Sequence, residues 1–268
     1  MTSKSFSFIH ISDHHLFESE TKFEYGFSTA YALRKVFCHI AENVASEADF
    51  IVTTGDVAKN SSVETYKHIA KLLQAESRLA LQPCQLRVSL EGLQKYPLYV
   101  LPGNLDDRDN FFRYLLPHVS PKAHMNFIFE HKRIRFICLD WGPQAKAKGS
   151  PEMFDFLKNA LQTNMPSILL MHHHITPVGI PWMDDLMADN VSDFRELITE
   201  QNILGIFSGH THCTYETHMG GIPVYGVRST APQFVPQAEP LLCIENPHYR
   251  LINVGDGVIT TQIYEVPL

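Results

Sequence analysis

Seven side chains of metal-binding type recur in five short segments: Asp13 and His15, Asp56, Asn104, His173, then His210 and His212. Carboxylates, one amide and several imidazoles, with no cysteine among them, form an all-nitrogen-and-oxygen donor set. Such a set suits two hard or borderline divalent cations. Each segment closes an apolar run. Phe6 to Ile11 leads into Ser12-Asp13-His14-His15, Phe50 to Thr54 into Gly55-Asp56, and Leu98 to Leu101 into Pro102-Gly103-Asn104. Ile168 to Met171 leads into His172-His173-His174, and Ile203 to Phe207 into Ser208-Gly209-His210-Thr211-His212. Short apolar runs bounded by Gly or Pro read as buried strands, so every cluster falls at a strand's C-terminal end, where open α/β sheets carry their sites.

Gly55, Gly103 and Gly209 each stand one residue before a ligand candidate, where a missing Cβ permits unusual dihedrals and close backbone approach. The pairs Asp13-x-His15 and His210-x-His212 put both side chains on one side in extended backbone. Taken singly, an Asp or Asn at a strand end is more often a turn former, and a histidine is usually a satisfied polar group. Of three consecutive histidines only one or two can face a common site, because strand neighbours alternate. The joint recurrence at strand ends outweighs these separate readings. The remaining histidines, among them His10, His39, His68, His118, His124, His131, His218 and His248, read as ordinary core or surface residues.

The five blocks Asp13-x-His15, Gly55-Asp56, Gly103-Asn104, His173-His174 and Gly209-His210-x-His212 resemble, in order, those of the calcineurin-like metallophosphoesterases. The chain looks closest to the bacterial class III cyclic-nucleotide phosphodiesterase branch, on Ile11-Ser12-Asp13-His14-His15-Leu16 and on Arg228-Ser229-Thr230-Ala231-Pro232-Gln233-Phe234. The latter is similar to a Pro-Ser-Thr-x-x-Gln-Phe segment, with Arg228 in place of the proline. The resemblance implies that Asp13, His15 and His212 hold one divalent metal (Mn, Fe or Zn), that Asn104, His173 and His210 hold a second, and that Asp56 bridges them. It implies hydrolysis of a small phosphodiester by water activated between cations roughly 3.5–4 Å apart, without a covalent intermediate. A 3′,5′-cyclic nucleotide such as cyclic AMP is the favoured substrate and a glycerophosphodiester the runner-up. A metal-binding scaffold on the same fold is the alternative class, which usually erodes the ligands that here are all present.

One departure stands out. The family's third block reads Gly-Asn-His-Asp, whereas this chain has Gly103-Asn104-Leu105-Asp106. That histidine is thought to steady transition-state charge and protonate the leaving oxygen, and leucine can do neither. A general acid contributes ~10²–10⁴-fold in rate, so poor leaving groups suffer most from its loss. His14, His172 and His174 are the nearby candidates to replace it. The catalytic assignment is Asp56, Asn104 and His174.

Between the strands the spacing is helical. Leu33, Val36, Phe37, Ile40 and Val44 form a core-facing stripe, and further helices are expected over Ser62–Gln74, Arg108–Leu116, Pro151–Leu161 and Ser192–Gln201. Arg133–Leu139, Leu241–Asn246, Tyr249–Asn253 and Val258–Tyr264 read as strands, the last two joined through Gly255-Asp256-Gly257. Strand–helix alternation with a β-rich end predicts an α/β fold of two stacked mixed sheets with helices outside, and the resemblance implies the same four-layer αββα sandwich. The chain of 268 residues, 44% hydrophobic and without a linker or repeat, reads as one domain, with an insertion over Ser77–Lys95. Pro177–Asp189, carrying Trp182, Met183, Leu186 and Met187, is a candidate lid.

Five cysteines, odd in number and irregularly spaced, fit free thiols in a reducing cytoplasm. Met1-Thr2-Ser3-Lys4 leads straight into the first strand, and no apolar stretch approaches the ~20 residues that a membrane helix needs. The formal net charge of −7 argues against a nucleic-acid polymer as partner. A homodimer is compatible with the resemblance, in whose branch dimers are common.

Overall fold

The computed structural model describes residues 5–74, 84–90 and 92–268. Its strands, in chain order, are β1 (Phe6–Ile11), β2 (Phe50–Thr54), β3 (Gln85–Leu90), β4 (Leu93–Leu101), β5 (Phe127–His131), β6 (Ile134–Leu139) and β7 (Ser167–Met171). They continue with β8 (Ile203–Ser208), β9 (Glu216–Met219), β10 (Ile222–Gly226), β11 (Gln233–Phe234), β12 (Leu242–Cys243), β13 (His248–Gly255) and β14 (Val258–Glu265). The helices are α1 (Thr29–Asn43), α2 (Val63–Leu72), α3 (Arg108–Asn110), α4 (Pro151–Ala160), α5 (Pro181–Asp184) and α6 (Val191–Ile198).

Two six-stranded sheets result, ordered β14-β13-β1-β2-β4-β3 and β5-β6-β7-β8-β10-β9. Both are mixed: β1, β2 and β4 run parallel, as do β6, β7, β8 and β10, while the outer strands are antiparallel. Period-two alternation decides which core each side chain joins. Phe136, Cys138, Ile168, Leu170 and Phe207 point into the core shared with the first sheet, α1 and α2. Their neighbours Ile137, Leu139, Leu169, Met171 and Ile206 pack instead with Met153 and Leu157 of α4 and Phe194 and Ile198 of α6. Helices thus cover the outer faces of two facing sheets, as the α/β expectation required.

The stripe Leu33, Val36, Phe37, Ile40 and Val44 is fully buried along α1 and just beyond its end. Ser28, Ser62 and Ser150 cap α1, α2 and α4 by accepting a hydrogen bond from the backbone three residues on. Three elements differ from the sequence reading. The helix expected over Arg108–Leu116 is one α turn followed by a wider π turn, Phe111–Leu115, where the Leu116 N–H is shared between the Phe111 and Phe112 carbonyls. The strand expected over Leu241–Asn246 shrinks to β12, which pairs only with β11. Of Ser77–Lys95, residues 77–83 and 91 lie outside the described residues, and Gln85–Leu90 forms an edge hairpin with β4.

Candidate metal centre

The loops that follow β1, β2, β4, β7 and β8 converge at one edge of the paired sheets. Asp13 Oδ1 lies 3.4 Å from His212 Nε2 and 3.8 Å from His15 Nε2, and those two ring nitrogens face each other at 3.0 Å. On the other side, His172 Nε2 lies 3.5 Å from Asp56 Oδ1, 3.0 Å from Asn104 Oδ1 and 3.3 Å from His210 Nδ1. Asp56 sits between the two groups, with its second oxygen 3.8 Å from His15 Nε2.

Close backbone approach makes this convergence possible. Gly55 has φ +100, and a Cβ there would come within 2.7 Å of the Gly103 backbone and 2.8 Å of His172 Nδ1. A Cβ on Gly103 would strike Asp56, and one on Gly209 would strike Ser12 and the Asp13 carboxylate. Asp13, His15, Asp56, His210 and His212 themselves adopt positive φ, between 45 and 70. The two Asp/His-x-His pairs are therefore not the extended segments that their spacing suggested.

The structure brings His172, not His173, against Asp56 and Asn104. Strand parity is the cause: His172 continues the Ile168 and Leu170 face toward the first sheet, whereas His173 follows Leu169 and Met171 outward. His173 Nε2 instead donates to the Gln144 carbonyl at 2.8 Å. His174, expected to be catalytic, is fully buried, with its ring centroid 5.5 Å from that of His210. His14 is equally engaged, hydrogen-bonded to Thr230 at 2.8 Å and Thr53 at 3.0 Å.

The donor chemistry fits cations. His172 Nδ1 donates to the Thr54 carbonyl at 2.7 Å and His212 Nδ1 to the Pro232 carbonyl at 2.8 Å, so each ring is oriented with its Nε2 toward the centre. Asp13 Oδ1 and His210 Nε2 are buried without a hydrogen-bond partner, and lone pairs crowd together where only a cation or a proton can relieve them. Burial alone would raise the Asp13 carboxyl, but the surrounding His212, His172 and His15 rings hold it well below the usual carboxylate range. Burial, reinforced by Asp13 and Asp106, pushes Asp56 up to about 7 despite the opposing pull of His172. Burial pulls His172 down, yet Asp56 and Asp13 outweigh it and raise the ring's pKa. His15 and His210 are held far below the usual histidine value by burial and by neighbouring rings, which keeps both as neutral donors.

Supporting groups surround the cluster. The Leu105 and His210 N–H groups donate to Asp56 at 2.9 Å and Asp13 at 3.0 Å. The segment Arg228–Phe234 braces the first loop: Ser229 Oγ donates to the Asp13 carbonyl and Ala231 leads to the Pro232 carbonyl that orients His212. Asp106, which the sequence marked only as the last residue of the third block, accepts from the Gly103, Val57 and Ala58 N–H groups and so ties two loops together.

A cavity of about 240 Å³ opens onto the cluster. Asp56, Asn104, His15, His210 and His212 form its floor, and Leu105, Trp182, Met183, Leu186, Phe234 and Leu242 form apolar walls. Trp182 and Phe234 meet edge to face at 4.9 Å, and of the segment Pro177–Asp189 the residues Trp182, Met183 and Leu186 line the cavity. Leu105 is 39% exposed and stands in that wall. Among the described residues no helix is long and apolar enough to cross a membrane.

The profile of the calcineurin-like phosphoesterase family matches residues 6–214. The chain belongs to that family and is, by family, a hydrolase of phosphoesters. It is 24% identical to a 3′,5′-cyclic adenosine monophosphate phosphodiesterase, CpdA, of Haemophilus influenzae, over 96% of this chain and 89% of that protein. It is 26% identical to a glycerophosphodiester phosphodiesterase, GpdQ, of Enterobacter lignolyticus, over 76% of this chain and 69% of that protein. The fold matches that of a dimetal phosphatase from Danio rerio with a TM-score of 0.61 at 13% identity, covering 98% of this chain and 99% of the other.

Proposed function

We propose that the protein is a dinuclear metal-dependent phosphodiesterase that hydrolyses a 3′,5′-cyclic nucleotide such as cyclic AMP. The observation that carries this reading is the placement of Asp56, with one carboxylate oxygen toward His15 and the other toward His172. Asp13, His15 and His212 would hold one cation and Asn104, His172 and His210 the other, with Asp56 placed between the two groups. When bound, the cation pair supplies activated water and neutralises the phosphoryl oxygens. The chain's own residues do the rest. The Thr54 and Pro232 carbonyls keep the His172 and His212 rings aimed, Asn104 Oδ1 lies beside His172 Nε2, and the cavity opens over them.

The apolar wall of Trp182, Phe234 and Leu242 supports a substrate with a flat, weakly polar substituent such as a nucleobase. The likeness to CpdA over nearly the whole chain supports the same choice. A glycerol head group would leave that wall without an apolar partner. With all five cysteines free, a reducing cytoplasm is the proposed setting.

The test is Mn reconstitution followed by assays on cyclic AMP, glycerophosphocholine and bis(p-nitrophenyl) phosphate. We expect about two equivalents of bound metal, turnover of cyclic AMP above that of the glycerol diester, and loss of both metal and turnover in Asp56→Ala. Full metal content in Asp56→Ala, or preference for the glycerol diester, contradicts the reading.

A further inference from the structure

The resemblance implies a histidine proton donor where this chain has Leu105, and none of the three nearby histidines is among the described residues that line the cavity. His14 is held between two threonines, His172 belongs to the cluster, and His174 is fully buried against the His210 ring. Beyond the cluster, two charged side chains line the cavity among the described residues, Lys59 and Glu24. Lys59 follows Asp56 by three positions and its ammonium is close enough to depress the charged form of His15.

The geometry around Lys59 is fixed at both ends. Its backbone N–H donates to the Leu16 carbonyl at 2.9 Å, next to a parallel bridge between Leu16 and Ala58. Its Nζ lies 2.9 Å from Glu24 Oε1, and Glu24 is itself pinned by a bridge to Phe27. Side-chain exposures of 28% for Lys59 and 22% for Glu24 place the pair at the cavity wall rather than out in solvent. A surface ion pair of ordinary kind would contribute only ~0–1 kcal/mol to stability. Here the pair lines the cavity that opens onto the cluster.

Resting on the phosphodiesterase reading, we propose that Lys59 is the catalytic proton donor to the leaving oxygen, with Glu24 its positioning residue. As the oxygen of water bonds to phosphorus, the phosphorus–oxygen bond to the leaving group breaks and its electron pair stays on that oxygen. Lys59 Nζ gives this oxygen a proton and regains one from solvent, while the attacking water releases its own proton to solvent. One water is consumed, and a diester becomes a monoester and an alcohol; for a cyclic nucleotide the ring opens. The ammonium also offsets charge on the phosphoryl group before transfer.

The experiment uses the full chain reconstituted with Mn, assayed on cyclic AMP, which has an alkoxide leaving group, and on bis(p-nitrophenyl) phosphate, whose leaving group needs no proton. Lys59→Gln should lower kcat on cyclic AMP by ~10²-fold and on the aryl diester by far less, with metal content and Tm preserved. Leu105→His added to Lys59→Gln should restore at least ~10-fold of the loss on cyclic AMP. Glu24→Gln, which keeps the ammonium, should cost less than Lys59→Gln. Equal losses on both substrates, an equal loss in Glu24→Gln, or no restoration by Leu105→His overturns the assignment and leaves Lys59 a structural pin. Failure of the unaltered, metal-loaded protein to hydrolyse either diester overturns the phosphodiesterase reading and this assignment with it.

Discussion

Left-handed backbone at Asp13, His15, Asp56, His210 and His212 costs on the order of 1 kcal/mol or more per residue, and it is tolerated because hydrogen bonds impose it. The Asp13 N–H donates to the Gly55 carbonyl and the His15 N–H to the Asp56 carbonyl, so the first and second loops hold each other in register. His172 needs no such strain. Its direction comes from the pleat of β7, which is why it, and not His173, meets Asp56. The residue types and their five positions were legible in the sequence. Which of His172-His173-His174 faces Asp56 follows from strand parity beyond Met171, whereas the reversed backbone left no trace, because an x between two such residues reads as extended chain. His172→Ala should therefore lose about one equivalent of Mn and most activity, while His173→Ala keeps both metals, read by elemental analysis of the reconstituted proteins. Retention of full metal in His172→Ala would return the ligand role to His173.

Loops carry the donors, but a single carboxylate joins two of them. Asp106 accepts from Gly103 at 2.8 Å, Ala58 at 3.0 Å and Val57 at 3.1 Å, and from the Tyr66 hydroxyl of α2 at 3.3 Å. Arg108 extends the brace by donating to the Gly103 and Asp106 carbonyls and pairing with Asp140. Burial raises the Asp106 pKa, and the three N–H groups and Arg108 pull against that. Asp106→Asn replaces one acceptor with a donor facing an N–H, so a loss of about 2 kcal/mol of stability is expected from urea unfolding, with weaker metal binding. An unchanged urea midpoint would show that the loops hold themselves. Elements with long periodic stripes, α1 above all, were legible because five apolar positions repeat at helical spacing. β5, β9 and β10 were not singled out, since their short half-buried runs alternate too briefly to separate from loops. The break inside 108–116 depends on which carbonyl Leu116 finds, which no local periodicity records.

At the scale of the whole molecule, the two mixed sheets were legible from strand–helix alternation, but the seat of the closing hairpin was not. β13 pairs with β1 across the chain, Val254 opposite Phe6, and a contact between residues so distant in sequence leaves no local trace. That seat buries His248 and Arg250 and brings them close to His10. Burial lowers the His248 pKa to about 3, helped by Arg228 and Arg250, and lowers His10 to about 3, helped by Arg250 and opposed by Asp13. Both rings are neutral when folded and take up a proton near pH 6.5 when unfolded. The unfolded state then binds more protons, so the stability that these two groups contribute is complete above about pH 6.5 and is lost progressively as pH falls toward 3. Each ring adds up to ~1.4 kcal/mol per pH unit to that slope. His248 Nε2 accepts the Arg228 N–H at 2.8 Å, and a glutamine carbonyl can take its place without a charge to gain. In metal-free protein, where metal–proton competition is absent, His248→Gln should flatten the fall in unfolding free energy between pH 6 and 5 by about 1 kcal/mol. Urea titrations at those two pH values measure it, and an unaltered slope would mean that the ring is already protonated in the folded protein.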